Sequence, residues 1–371
     1  MIRVLHILQD INSGGVERRR LSIAKKLNTD EFELKIICIK AVNNIPDEIR
    51  SYGVEVIPLE NFGGLFDWKT HKKVQKIISD FKPHIIHGAV FEGVTLAAIN
   101  GFIKRVPHII IEETSDPVYR SWRGNLLMKI FGTLSHYSVG VSHAAYSYLV
   151  NKLKLPEQKV QLIVNGVKPA NQYAKQELEQ LKLDLGINST DFVFVSAGRM
   201  HAELPKRFKI LLQTFAKLAT KHSHAKLILI GDGKMLEEYK KLAKDLKIDQ
   251  QVIFTGYQNQ VDKYLAISNL FCMFSNFESF GLASVEAQMN KIPAIVTNVG
   301  GLQYTVVNNE TGFVVDVNDF EMMSEKMEFC LVNPELTKNM GVRAYDYVHA
   351  NFHEDLYTSN LFQFYKKIIS K

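Results

Sequence analysis

The chain has 371 residues, 46% hydrophobic and 23% charged, with a formal net charge of +6. That length exceeds one ordinary core and predicts two domains of a soluble globular enzyme. Cys38, Cys272 and Cys330 lie far apart in apolar runs, which excludes a disulfide framework and predicts buried, reduced thiols. No apolar run reaches the ~20 residues needed to span a bilayer, and MIRVLHILQD enters a strand with no signal-peptide layout. A cytoplasmic location is therefore expected. The charge is uneven: residues 1–168 hold 23 Lys and Arg against 16 Asp and Glu, and the remainder holds 22 against 23. A basic first half suits an anionic partner such as phospholipid or a polyprenyl diphosphate, or is a solvated basic surface.

In chain order, apolar β-rich runs alternate with helical patterns, the signature of α/β units with parallel sheets. The first series of strands is predicted at Val4–Leu8, Leu34–Ile39, Val54–Pro58, Ile85–His87, His108–Ile111, Ser138–Val141 and Gln161–Val164. Helical patterns cover Glu17–Leu27, Trp68–Asp80, Gly93–Ile103 and Ala144–Lys152. Arg120 to Phe131, RSWRGNLLMKIF, mixes basic and apolar residues; it reads as an interfacial helix on anionic lipid or as a helix packed on the sheet. Asn165-Gly166 and Pro169 punctuate the chain, placing a domain break near Val167–Gln180. A polar helix, Ala174–Leu183, leads into a second series of strands: Phe192–Ser196, Lys226–Ile230, Gln251–Thr255, Leu270–Phe274, Ala294–Thr297 and Gly312–Val315. Leu356–Ile369 is a final helical pattern. Two doubly wound, Rossmann-like domains facing a central cleft are expected, residues 1–168 and 169–351, with the last helix (about 352–371) packing back onto the first.

Several strand ends carry chemistry. Gly14-Gly15 lies between a strand and a helix start, where an anion could approach the backbone, although taken alone it reads more readily as a plain tight turn. Gly198-Arg199 follows a strand, with Lys206 seven residues beyond Arg199; two fixed cations there suit a diphosphate leaving group, or are solvated surface charges. Gly231-Asp232-Gly233 and Thr255-Gly256 are strand-ending turns whose backbone could also read the edge of a nucleobase. NFESFGLASVEAQ, Asn276 to Gln288, sets Glu278 on a loop and Glu286 about a turn into the following helix. The first suits sugar hydroxyls, the second ribose hydroxyls, and the helix start between them phosphate. No Asp-x-Asp pair or H-E-x-x-H occurs, so no metal is expected; the absence of G-x-S-x-G argues against that hydrolase type.

Together, NFESFGLASVEAQ, Gly198-Arg199 with Lys206, Gly14-Gly15, Val164-Asn165-Gly166-Val167, Ile230–Tyr257 and Lys291–Gly301 resemble the retaining glycosyltransferases of family 4, which have the GT-B fold. The resemblance spans nearly the whole chain. It implies an acceptor-binding first domain and a second domain that binds a nucleotide-sugar donor, UDP-sugar preferred, without metal or cofactor. By this resemblance Glu278 would hold the donor sugar, Glu286 the ribose, and Arg199 and Lys206 the diphosphate. The N–H groups of Phe280, Gly281 and Leu282 would hold sugar and phosphate. Gly15 would close over the phosphates, and Phe254 and Gly256 would lie near the base. Gly14, His87 and Glu113 are the candidate acceptor- and sugar-side residues.

The implied acceptor is a glycan or polyprenyl-diphosphate-linked glycan of surface polysaccharide assembly, with an anionic membrane surface as partner and no nucleic acid. Three positions depart from the family pattern. Glu113 stands where a histidine is usual, Tyr304 where a glutamate often follows the late Gly-Gly, and Arg207 where a small residue follows the clamp lysine. Alternatives are a nucleotide-sugar epimerase on the same architecture and a silent nucleotide-binding subunit. An epimerase would alter the sugar with no acceptor present. The full set Glu278, Glu286, Arg199 and Lys206 disfavours a silent subunit.

Overall fold

The computed structural model describes residues 1–12, 14–115, 118, 120–201 and 206–370. The chain forms two compact units: Met1–Gly166 with the C-terminal segment from Glu354, and Val167–His353.

The first unit holds β1 (Ile2–Ile11), β2 (Phe32–Ala41), β3 (Glu55–Pro58), β4 (Ile85–Ala89), β5 (His108–Glu113), β6 (Tyr137–Gly140) and β7 (Val160–Leu162). All are parallel, in the order β3-β2-β1-β4-β5-β6-β7. Parallel strands need crossover helices, which cover both faces and let the strands run apolar throughout. Accordingly Leu5, Ile7, Leu8, Ile36, Ile37, Ile85, Ile86 and Ile110 are all inaccessible to solvent. The helix Val90–Ile103 sits so close to β1 that a Cβ on Gly93 would lie 2.3 Å from the Ile7 carbonyl oxygen. The predicted final helix spans Glu354–Ile369, and its Tyr357, Leu361, Phe364, Tyr365 and Ile368 belong to the same core as β1 and β2. A helix at Ile45–Ser51, starting with Pro46 in its first turn, was not predicted.

The second unit holds β8 (Phe192–Ala197), β9 (Ala225–Ile230), β10 (Val252–Gly256), β11 (Leu270–Met273), β12 (Ala294–Thr297) and β13 (Gly312–Val315), parallel in the order β10-β9-β8-β11-β12-β13. Two apolar clusters line its faces, one centred on Phe194, Phe215 and Leu229, the other on Val195, Phe271 and Val296. In both sheets the winding direction reverses between the first and fourth strands, β1/β4 and β8/β11. Doubly wound sheets place ligands at the carboxyl ends of strands flanking such a reversal. Cys38, Cys272 and Cys330 are buried free thiols, and burial pushes Cys38 up to about 12. Among the described residues no helix is long and apolar enough to cross a membrane.

Candidate functional site

At the carboxyl end of β8 the chain turns through Gly198, Arg199 and Met200. Gly198 N–H donates to the Ile230 carbonyl (3.0 Å) and Met200 N–H to the Asp232 carbonyl (2.9 Å). Gly231 and Gly233 make this possible. Both have positive φ (+141° and +151°), and a Cβ on Gly231 would fall 1.9 Å from the Gly198 carbonyl oxygen. Only glycine tolerates that approach. The Gly231-Asp232-Gly233 turn, which the sequence left open between a plain turn and a base contact, is thus a backbone bracket for the Arg199 loop. Met200 is buried beneath it, and Arg199 is left exposed.

The Lys206 stem lies along the same loop, 3.2 Å from where a Gly198 Cβ would stand. Its Nζ donates to Glu278 Oε2 at 2.5 Å, and each side chain is 18% exposed. Lys206 and Glu278 come from opposite sides of the reversal point, one after β8 and the other after β11. Residues 202–205, between Arg199 and Lys206, are outside the described residues.

A second glycine bracket holds the glutamate turn. The Glu278 carbonyl accepts from Gly301 N–H (2.9 Å), and a Cβ on Gly301 would meet the Ser279 carbonyl oxygen at 2.1 Å. Gly281, at φ +101°, caps the helix Leu282–Met289. N–H groups in a first helical turn have no carbonyl partner within the helix, so Phe280, Gly281 and Leu282 stand where an anion would be received. The Phe280 ring itself is buried 5.4 Å from Phe352 and anchors the turn. Ser284 Oγ pairs with Thr305 Oγ1 (3.0 Å), and Gln288 Nε2 donates to the Thr305 carbonyl (2.9 Å). These two fasten one helix face inside the unit. Glu286, half-buried, lies about 200° around the helix from Ser284 and so leaves from the opposite face.

Gly256 lies in this row too, since Gly231 N–H donates to its carbonyl (2.9 Å). Phe254 is half-buried, its side chain packed against the apolar cluster of the unit. Arg207, one of the departures from the family pattern, has φ +51°, a conformation in which glycine is at ease. Tyr304 is 45% exposed, and its carbonyl accepts from Tyr347 Oη (2.9 Å).

The first unit differs. Gly14 precedes the helix Gly15–Lys25 in an extended conformation, and its carbonyl accepts from Arg18 N–H (3.1 Å). His87, expected on the acceptor side, is enclosed. It is fully buried on β4, with Nδ1 2.6 Å from Tyr365 Oη and Nε2 3.2 Å from Glu112 Oε2. Glu112 receives Arg19 Nη1 at 3.0 Å and Arg20 Nη2 at 3.1 Å, and His6 Nε2 lies 2.9 Å from Tyr365 Oη. Burial alone would raise the Glu112 pKa, but Arg20 and Arg19 outweigh it and hold the carboxyl well below the usual carboxylate range. Burial, then Arg20, depresses His6; burial also depresses His87. This cluster ties the Gly15 helix and the C-terminal helix to the sheet.

Glu113, the other acceptor-side candidate, is likewise enclosed. It is buried and bidentate with Arg120, whose Nη2 donates to Oε1 at 3.0 Å and Nη1 to Oε2. Ser115 adds N–H (3.0 Å) and Oγ (2.7 Å) to Oε1. The sequence missed Glu112, Arg19 and Arg20. A signal was present: Glu112-Glu113 in an apolar strand and Arg18-Arg19-Arg20 in a short helix are charges that an all-round buried layer must pair.

The amphipathic segment forms a helix at Trp122–Leu134, capped by Ser121 Oγ, which accepts from Gly124 N–H (3.2 Å). Met128 and Phe131 are buried, so the helix packs on the unit. Trp122, Leu126 and Ile130, spaced four apart, are nevertheless 70%, 50% and 44% exposed.

Two doubly wound parallel sheets, with cations and carboxylates gathered at one reversal point, define the two-domain GT-B architecture of enzymes that handle nucleotide-linked substrates. The family described as glycosyl transferases group 1 matches residues 177–347, and that described as Glycosyltransferase Family 4 matches residues 13–171. The chain belongs to this family of glycosyltransferases. It is 31% identical over 229 residues to the N-acetyl-alpha-D-glucosaminyl L-malate synthase of Bacillus anthracis, covering 62% of this chain and 59% of that enzyme. It is 23% identical over 337 residues to the UDP-Gal:alpha-D-GlcNAc-diphosphoundecaprenol alpha-1,3-galactosyltransferase of Escherichia coli, covering 86% and 85%. The crystal structure of Anabaena HepE in complex with UDP-glucose shares the fold, at TM-score 0.86 and 18% identity over 99% of this chain and 100% of that one.

Proposed function

We propose that the second unit binds a UDP-sugar and that the enzyme transfers the sugar, with retained anomeric configuration and without metal, to a lipid-linked glycan of surface polysaccharide assembly. The observation that carries the donor site is the convergence of Arg199, Lys206, Glu278 and the Leu282 helix start at the β8/β11 reversal. Two cations and a helix start suit a diphosphate; a carboxylate beside them suits sugar hydroxyls. The galactosyltransferase relative, with its UDP donor and diphosphoundecaprenol acceptor, supports this choice of substrates, as does the UDP-glucose bound by the structural relative.

In this reading the bond from the anomeric carbon to the diphosphate oxygen breaks while Arg199, Lys206 and the helix start hold the developing negative charge. The acceptor hydroxyl attacks the same face, and its proton passes to the departing phosphate oxygen. Glu278 positions the sugar, and Glu286 serves the ribose. Donor entry exchanges the Lys206–Glu278 pairing for contacts to phosphate and sugar. Stabilisation of this kind is worth about 10²–10³ in rate per group.

A thermal-shift screen across UDP-, GDP-, ADP- and TDP-sugars in EDTA tests the donor, since a ligand that binds the folded state raises the midpoint. A UDP-sugar is expected to give the largest shift; a shift only with added divalent metal, or only with another base, overturns that part. The anomeric configuration of the product, read by NMR, tests retention.

The acceptor's lipid places the enzyme at an anionic membrane surface. The exposed stripe Trp122, Leu126 and Ile130, beside Arg123 and Lys129, supports that reading. Full-length protein should float with anionic vesicles at low salt, and Trp122→Glu should abolish flotation without changing thermal stability. Equal flotation of the two proteins would remove this helix from the account.

A further inference from the structure

Arg207 directly follows the clamp lysine, and its geometry is unusual on two counts. Its backbone is left-handed, φ +51° and ψ +44°, at the start of the helix Phe208–Ala219, and its carbonyl accepts from Ile210 N–H (3.0 Å) and Leu211 N–H (3.2 Å). A side chain with a Cβ is strained there, and that conformation persists only where the surroundings over-determine it. The surroundings are visible. The side chain is only 7% exposed, its Nη1 donates to the Val317 carbonyl at 2.5 Å, and the guanidinium lies 5.6 Å from the Phe320 ring centroid. Val317 and Phe320 belong to the segment that follows β13. A fully charged, nearly buried arginine thus spends a hydrogen bond and a ring contact on holding one turn.

We propose that Arg207 is a positioning residue for Lys206, fixing the backbone from which the clamp ammonium is aimed. A lysine reaches its target through four freely rotating methylenes, so its aim depends on where its own backbone is held. One side of Lys206 is guided by Gly198, along which its stem lies. Its C-terminal peptide is guided by Arg207, hooked to Val317. The segment after β13 is thereby coupled to the diphosphate site. This inference rests on the reading of Lys206 as a diphosphate clamp.

The test is a double-substitution cycle read by calorimetric titration with UDP and with inorganic pyrophosphate, which reports the clamp without a base. Arg207→Ala is expected to weaken both ligands tenfold or more while the protein still melts cooperatively. In a Lys206→Ala background the same change should alter affinity less than twofold, because no lysine is left to aim; coupled residues are non-additive. Arg207→Gly relieves the left-handed strain but removes the hook, and should bind as weakly as the alanine variant. Arg207→Lys, which keeps one donor for Val317, should recover most of the affinity and remains informative if the alanine variant fails to fold. Wild-type affinity in Arg207→Ala or Arg207→Gly, or an equal loss in both backgrounds, overturns the inference. If wild type binds neither ligand, or Lys206→Ala binds as wild type does, the clamp reading itself falls, and the inference with it.

Discussion

At the carboxyl ends of β8 and β11, Arg199 is exposed, and Lys206 and Glu278 are each 18% exposed and face one another. In the first unit, beside the β1/β4 reversal, His87 on β4, Glu112 on β5, and Arg19 and Arg20 of the Gly15–Lys25 helix are each 3% exposed or less and bond among themselves. The strand order around the two reversal points is the same, and both gather cations and carboxylates. In the second unit glycine brackets do the structural work through backbone contacts, which leaves side-chain charge for a ligand. In the first unit the side chains themselves do the structural work, tying two helices to the sheet. Charge at a strand end is therefore not evidence of a site until its partners are known.

The sharpest way to break this comparison is to remove one carboxylate from each region. Glu112→Ala would leave two buried arginines uncompensated, and should destabilise the protein by about 3–5 kcal/mol. Urea unfolding reads this; a stability within experimental error of wild type would show that the cluster is not structural. Glu278→Ala should do the opposite. It should lower donor turnover by about 10²–10³ and leave the unfolding midpoint nearly unchanged, since its site is partly solvated. Glu113→Gln probes the borderline case. It weakens the Arg120 fork, and is expected to cost about 1–3 kcal/mol in stability with UDP affinity unchanged. A selective loss of ligand affinity would return Glu113 to the site.

The smallest effect is on pH dependence. His6 and His87 have folded-state pKa values below the ordinary 6.5, so between neutrality and those values the unfolded chain binds more protons than the folded one. Stability should fall as pH drops below about 6.5. Glu112, depressed below 4.5, contributes stability that is present above 4.5 and is lost only as pH falls further. Melting at pH 7.5 and 5.5 should show the histidine loss, and His87→Gln should flatten it. A melting point that rises on acidification would contradict the assignment.

All thirteen strands were legible in the sequence, because strands buried on both faces read as apolar runs such as FVFVSA and LILIG. The positions of the candidate donor-side residues in the second unit were legible for a related reason. Arg199, Lys206, Glu278 and Glu286 follow strands and flank glycines, so local order fixes where they lie. His87 and Glu113 were not legible. Glu112 and Glu113 are neighbours on β5 and point to opposite faces. Their partners, Arg19, Arg20 and Arg120, and Tyr365 beside His87, come from segments 7 to 278 residues away. Sequence position tells which residues end a strand. It does not tell which helix closes over them.

Titration of UDP into wild type, Arg199→Ala and Lys206→Ala in EDTA tests the donor-site assignment most directly. The account predicts saturable binding to wild type without metal, weakened at least tenfold by either substitution and further by both. Binding that is unchanged in both variants would contradict it.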